Sequence, residues 1–465
     1  MSMKTFPKTF LKIVSTLIIL LALNIRFTDI FLLHMRGSSP FSSICLTAEI
    51  VCYLLYIYIN IFPVLLIRKT STLRNKILED GTALLQIFLV TTGIEIFYYA
   101  ILLIMTLVTD SGIITDNPWF WIKQLLIVFL IECILFWNGI IRVYLTSVQL
   151  GIKWRIIGAI CGLIPLVHLY VLCRIIYITN NEALCENEKY LLNQIRAENQ
   201  ECHTKYPILL VHGVFFRDFR FFNYWGRIPA ELIRNGAVIY YGSQQSAASV
   251  ARCGEELSAR IMQILQETGS PKVNIIAHSK GGLDSRYAIS ACGAAPYVAS
   301  LTTVNTPHHG CLFADYLLEK IPDSLCTKVA SKYNAALTLL GDQSPDFMEA
   351  VQDLTAAACT HLNEMLPDSP DVYYQSVGSK MNRAVSGRFP LNMSYPMVKH
   401  FDGDNDGLVA VESMKWGSTF CYVTSAGGRG ISHGDMIDLN RENIPGFDMR
   451  EFYVTLVKDL KDRGF

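Results

Sequence analysis

The sequence predicts two joined folds: an all-α bundle of about five apolar helices over residues 1–180, and an α/β domain over residues 206–465. Three observations carry this. Five apolar stretches fill the first part, at 10–25, 44–67, 83–108, 122–145 and 155–178. In the second part short apolar strands alternate with amphipathic helices, the pattern of a parallel sheet covered on both faces. The charge divides at the same place. The 465 residues carry 40 Lys+Arg and 40 Asp+Glu, but residues 1–180 hold 14 basic against 8 acidic, leaving 26 against 32 for the rest. The formal zero is thus a sum of +6 and −6.

Composition excludes several classes. Only 17% of residues are charged and 51% are hydrophobic, against roughly 25% charged in soluble domains. That argues against an ordinary soluble enzyme. Disorder is excluded by the apolar content, and a rod by the absence of repeats. There is no basic excess or basic patch with interleaved aromatics, so a nucleic-acid partner is not expected.

Each apolar stretch is justified by length. A span of the hydrocarbon core needs about 20 mainly apolar residues, which the last four stretches provide. The first is shorter and follows Lys4, Lys8 and Lys12, as in a signal peptide. No Ala-x-Ala cleavage site follows it, so a retained helix is expected. With the N-terminus inside, inner segments carry Lys4, Lys8, Lys12, Arg68, Lys69, Arg74, Lys76, Arg142, Lys153 and Arg155, and outer loops carry Arg26, Arg36 and Lys123. The positive-inside rule favours that orientation. Five passes then put the second domain outside the cytoplasm, in a multi-pass cell-membrane protein. Trp119, Phe120, Trp121 and Trp154 stand where an aromatic belt is expected. Glu95 and Glu132 fall near mid-span and Arg174 near the end of the fifth stretch. Charges at such depth face other helices, as contacts or as a polar pathway. Residues 181–205 are polar and predict a helical connector.

In the second domain the first strand is Ile208–Val211, followed by His212–Gly213, and a second is Ala237–Tyr241. Residues 246–267 are helical by pattern, with Val250, Leu257, Ile261, Ile264 and Leu265 on one face, and Gly269–Ser270–Pro271 stops them. A third strand, Val273–Ile276, runs into Ala277–His278–Ser279–Lys280–Gly281–Gly282, and a helix follows. A serine on a sharp strand-to-helix turn needs small neighbours, which is the logic of G-x-S-x-G. Ser279 is therefore the candidate nucleophile. In such enzymes the acid and then the histidine follow in the chain. Asp402, Asp404 and Asp406 are the candidate acids, and His433 is the histidine after them. His308, His309, His361 and His400 precede the acids and fit that order poorly, and His278 would point away from the serine.

Residues 205–283 and 400–438 resemble the bacterial triacylglycerol lipases of the true-lipase family, within the α/β hydrolases. The likeness rests on Tyr206–Val214, on Ala277–Gly282, on Asn405–Val409, on His433, and on Thr306–Gly310 as the family's G-x-P-H-x-G. It covers most of residues 205–465 and none of the helical part. It implies Ser279 as nucleophile, Asp406 as acid, His433 as base, and the backbone N–H groups of Val214 and Lys280 as oxyanion hole. Ala277 replaces the family's first glycine. Family members often hold a structural Ca²⁺ near the histidine loop. Asp435 matches one ligand, but no acid lies between Asp371 and Asp402 where the other belongs. Calcium takes six to eight oxygens, so neither a calcium site nor any cofactor is expected.

Residues 311–366 read as two or three amphipathic helices, either a mobile lid or a fixed helical subdomain. The aromatics of 215–222 are expected in an acyl pocket, on a membrane, or in the core. Eight of 13 cysteines lie after residue 180, in the connector and second domain, without framework spacing. The expectation is a serine ester hydrolase tethered to the membrane, acting on lipid acyl esters. A phospholipase, an acyl-thioesterase, and an interaction module with an inactive hydrolase-like domain are the alternatives.

Overall fold

The structure is a computed structural model. It describes all residues except 1–5, 26–38, 64–71, 110–117, 163, 165, 215–222, 321–329, 333, 336–337 and 339–344. It divides into two compact units, Met1–Gln194 and Ile195–Phe465, each treated by itself.

The first unit is all helix. Helices α1 (Phe6–Asn24), α2 (Ser39–Ile61), α3 (Leu73–Thr109) and α4 (Pro118–Thr146) coincide with the first four apolar stretches. They meet on Ile19, Leu23, Ile59, Leu84, Ile131 and Leu135. Among the described residues two helices are long and apolar enough to cross a membrane, Leu73–Val108 and Pro118–Thr146. Only 17% of the most apolar window of α3 is buried, so most of its apolar surface faces outward.

The fifth stretch is not one helix. It forms α5 (Gly151–Cys161) and α6 (Val167–Arg196), with Leu166 between them in the left-handed region at φ 66°. Gly158 and Ile175 would stand about 25 Å apart along one straight helix. Instead, a Cβ on Gly158 would lie 3.0 Å from the Ile175 side chain, and the Arg174 guanidinium sits 5.7 Å from the Trp154 ring. The stretch is therefore a helical hairpin that turns back on itself. Its second arm ends where α3 begins and α4 ends. Arg74 donates to the Thr146 carbonyl at 2.7 Å and to Glu182 at 2.9 Å. Glu182 also accepts from the Ser147 hydroxyl at 2.6 Å. Helix α6 also runs through the predicted boundary near 180 and half the predicted connector. Its polar second half continues the helix because Glu182 and Asn187 find partners on α3 and on the α4 terminus.

The second unit is a six-stranded parallel sheet in the order β2-β1-β3-β4-β5-β6. The strands are β1 (Ile208–Val211), β2 (Ile239–Tyr241), β3 (Val273–His278), β4 (Val298–Val304), β5 (Tyr373–Ser379) and β6 (Thr419–Val423). Alternate residues feed two cores, as the two-residue period of a strand requires. Ile208, Leu210, Ile276, Val304 and Val377 pack with Tyr453 and Val457 of the C-terminal helix Met449–Asp462. Leu209, Val211, Ile275, Ala277 and Leu301 pack with Leu257, Ile261 and Ile264 of the helix Val250–Thr268. That helix starts on Ser249, whose side chain accepts from the Arg252 N–H, and ends on Gly269 at φ 69°.

The chain steps from β1 outward to β2 and returns to lay β3 on the other side of β1. Such a reversal opens a crevice at the carboxyl ends of the two strands. Residues 311–366 contribute the described helices Leu312–Lys320, Phe347–Gln352 and Ala356–Met365. Cys359 and Leu362 of the last pack on Val250 and Leu283, which anchors that helix to the sheet's flanking helices. The predicted positions Ile321, Val329, Tyr333, Leu337 and Leu340 lie outside the described residues, as do the aromatics of 215–222.

Candidate active site

Strand β3 ends at His278 and helix Lys280–Ser290 begins two residues on, leaving Ser279 alone to reverse the chain. Ser279 takes φ 54°, a conformation that strains a residue with a Cβ. Neighbours hold it there. Its N–H donates to the Val304 carbonyl at 2.9 Å, and its carbonyl accepts from the Thr306 hydroxyl at 2.8 Å. The flanking glycines are required by contact. A Cβ on Gly281 would lie 2.4 Å from the His212 carbonyl oxygen, and one on Gly282 would lie 2.2 Å from the Thr306 hydroxyl. Gly213 faces the serine, and a Cβ there would lie 2.8 Å from Ser279 Cβ. Ala277, where the family pattern has glycine, is fully buried in the sheet without such a conflict.

Asp406 is fully buried and uses both oxygens. One accepts from the N–H groups of Leu408 and Val409 at 2.9 and 2.8 Å. The other accepts from Asn305 Nδ2 and His433 Nδ1, each at 2.6 Å. The His433 N–H also donates to the Asp406 carbonyl at 2.9 Å. With its Nδ1 proton held by the carboxylate, His433 keeps Nε2 as the acceptor, the tautomer a general base needs. Its ring lies 4.4 Å from that of His278, the residue before the serine. The structure thus brings Ser279, Asp406 and His433 to one end of the sheet. Among the described residues the Ser279 hydroxyl makes no hydrogen bond, as is common for such groups before a substrate binds.

The rival acids are engaged elsewhere. Asp402 accepts from the N–H groups of Leu312 and Phe313 at 2.9 and 3.0 Å and so caps the first helix of the 311–366 subdomain. Asp404 pairs with Lys380 at 2.5 Å on the surface. His308 stacks on Trp416 and bonds the Thr303 hydroxyl at 2.9 Å. The N–H groups of Val214 and Lys280 have no acceptor among the described residues. That of Lys280 is one of the first N–H groups of its helix, where donors are left over.

Sequence reasoning missed three groups. Tyr224 accepts from the Gly213 N–H at 3.0 Å and its hydroxyl shares a hydrogen bond with His278 Nδ1 at 2.7 Å, tying the end of β1 to the turn at Ser279. Burial and the nearby His433 hold the His278 pKa well below its ordinary value, so its ring is neutral. Asn305, at φ 47° after β4, joins Asp406 to Ser379. Arg429 forks onto both oxygens of Asp435 at 2.8 and 3.2 Å, while Asp435 also accepts from the Ser432 N–H at 2.9 Å. A guanidinium thus takes the carboxylate that the family pattern gives to calcium, and the residues present do not fit that ion. The Lys280 side chain is also buried, paired to Asp284 at 2.6 Å one turn along the helix.

Residues 230–385 match the family described as putative serine esterase (DUF676). Over 180 residues the chain is 38% identical to a triacylglycerol lipase of Pseudarthrobacter phenanthrenivorans, covering 36% of this chain and 55% of that one. A triacylglycerol lipase of Burkholderia plantarii is 38% identical over 180 residues, covering 36% and 49%. The chain spans about half the length of these curated relatives. The second unit is thus similar to putative serine esterases and to triacylglycerol lipases. Among solved structures, Staphylococcus hyicus lipase aligns at 17% identity and TM-score 0.45, over 56% of this chain and 97% of that one.

Proposed function

We propose that the chain is a membrane-anchored serine ester hydrolase that cleaves lipid acyl esters through an acyl-enzyme on Ser279. The observation that carries this is the strained serine at the end of β3 beside a histidine fixed by a buried carboxylate. Ser279 Oγ adds to the ester carbonyl carbon as its proton passes to His433 Nε2. The N–H groups of Val214 and Lys280 meet the oxygen that becomes negative, a contribution of about 3 kcal/mol per donor. The ester C–O bond then breaks and the alcohol leaves with the proton from His433. Water gives a proton to the same nitrogen as it adds to the acyl carbon; the acyl–Oγ bond then breaks, the proton returns from His433 to Ser279 Oγ, and the acid leaves. Asp406 stays ionised and stabilises the imidazolium. A fluorophosphonate probe should label the wild type and not Ser279→Ala. Equal labelling of the two sinks the reading.

Attachment to a membrane is supported by α3 and α4, whose length suffices and whose outward faces carry Phe97, Leu103, Ile104, Leu107 and Trp137. Exposed apolar surface of that extent belongs against lipid or protein. The turned-back fifth stretch changes the orientation expected from five passes. Without it the number of passes is even, provided α1 and α2 both cross or both do not. The chain then leaves the bundle at the end bearing Arg74, Lys76, Arg142, Lys153 and Arg155. The positive-inside rule makes that end cytoplasmic, and the second unit with it. Buried, unpaired thiols at Cys202, Cys253, Cys311 and Cys359 suit a reducing compartment. An impermeant maleimide should reach the exposed Cys421 in inverted vesicles and not in intact cells. Labelling in intact cells reverses the orientation.

A further inference from the structure

In the middle of the helical bundle polar side chains face one another without closing their hydrogen bonds. Glu132 of α4 is 7% exposed, and neither carboxylate oxygen has a hydrogen-bond partner among the described residues. Thr91 and Thr92 of α3 stand beside it. Thr91 donates its hydroxyl to the Ile87 and Phe88 carbonyls, and the Thr92 hydroxyl is unpartnered. One turn along α3, Glu95 accepts from Asn24 of α1 at 2.6 Å through one oxygen and leaves the other unpartnered. Gln124 of α4 donates to the Leu23 carbonyl at 2.6 Å, and its Oε1 is again unpartnered, as is the hydroxyl of Tyr99 beside it. The Thr92 and Tyr99 hydroxyls can turn toward Glu132 and Gln124, so the atoms short of a donor are the free carboxylate oxygens of Glu95 and Glu132.

Burial of such atoms without partners is costly, and an isolated buried carboxylate more so. The walls are apolar: Leu23, Ile87, Val128 and Ile131. The other polar groups facing the space are committed. Tyr56 of α2, beside Glu132, donates to the Ile131 carbonyl at 3.0 Å. Among the described residues no cation faces this acceptor-rich space, and such a space calls for a positive ligand. Glu132 and Gln124 lie about 12 Å apart along their helix. The oxygens therefore do not form the single shell of six to eight that calcium takes.

We propose that the space bounded by Glu95, Glu132, Gln124, Thr92 and Tyr99 binds a small monovalent cation, a proton or an alkali-metal ion. The inference rests on the reading that α3 and α4 span a bilayer, because only then is bulk water kept from the carboxylates. Alkaline carbonate washing of membranes tests that premise separately, since a chain released by the wash does not span.

The site itself is tested on the full chain in detergent, comparing wild type with Glu132→Gln and Glu95→Gln. An alkali ion raises the wild-type unfolding temperature by about 2–4 °C in sodium over choline chloride at equal ionic strength, and leaves the glutamine variants unmoved. A proton gives no sodium effect but lowers the wild-type temperature, relative to the variants, as pH rises from 5 to 9. If wild type and both variants run parallel in both series, the site does not exist. Should the variants not fold, infrared difference spectra of the wild type read the same question. A buried carboxylic-acid band that changes with neither pH nor sodium overturns the proposal.

Discussion

Both units bury carboxylates, and they treat them in opposite ways. Asp406 sits in the hydrolase with four donors on its two oxygens. Glu132 sits in the bundle with none among the described residues. A buried charge is stable when fully hydrogen-bonded and costly otherwise. The first arrangement is a fixed electrostatic tool, ready before the substrate arrives, while the second leaves room for an exchangeable ligand. The contrast separates a site built for catalysis by preorganisation from one built for occupancy.

The comparison is broken most severely at Asp406. Asp406→Asn keeps the shape but offers the His433 Nδ1 side an amide, which favours the wrong tautomer. The expected loss in kcat is about 10³–10⁴-fold, with KM little changed, measured on a soluble p-nitrophenyl ester. A loss under tenfold would show that His433 needs no carboxylate. Gly281→Ala attacks the same preorganisation through the backbone. Its Cβ would meet the His212 carbonyl oxygen at 2.4 Å, so the turn must shift. A displacement of about 1 Å costs on the order of 10²-fold in rate. Unchanged activity would mean that the turn tolerates the shift.

How much of this was legible in the sequence follows from range. Ser279, its glycines and the strand before it are neighbours in the chain, so the turn could be read there. His433 was legible through order alone. Asp406 was not separable from Asp402 and Asp404 by residue type. What separates them is contact with Asn305, 101 residues away, and with His433. Tyr224 and Arg429 were missed for the same reason, since a tyrosine or arginine in a loop carries no local mark of its partner. In the bundle, hydropathy located all five apolar stretches but has no direction. It sums residues 155–178 as one span, although the chain reverses at Leu166. The cytoplasmic side proposed for the second unit rests on that reversal.

Buried histidines in the hydrolase give a second test of how its interior handles charge. Burial holds the pKa of both His278 and His308 well below the ordinary value. The unfolded chain takes up protons below about pH 6.5 and the folded chain does not. Stability is therefore full above that pH and falls on acidification, by about 1.4 kcal/mol per pH unit for each histidine. His308→Phe, which can keep the stack on Trp416, should reduce the slope by one proton. Urea midpoints of esterase activity from pH 7 to 5 measure it, and an unaltered slope would mean that His308 is protonated in the native state.

The smallest effects separate the three neighbouring acids. Asp402 caps the helix Leu312–Lys320 through two N–H groups, and losing a cap costs about 1 kcal/mol. Asp402→Ala should lower the unfolding midpoint by that order and leave kcat within a few fold, because the helix it holds is not part of the proton path. The Asp404 side chain is about half exposed and, among the described residues, pairs with Lys380. The pair raises the pKa of Lys380 and lowers that of Asp404, but solvent screens it, and such surface pairs are worth about 0–1 kcal/mol. Asp404→Asn should therefore move neither midpoint nor rate measurably. The ranking Asp406, Asp402, Asp404 by loss of kcat is the sharp form of the claim. A larger rate loss at either of the other two would move the acid's role away from Asp406, and with it the contrast between a fully satisfied carboxylate and an unsatisfied one.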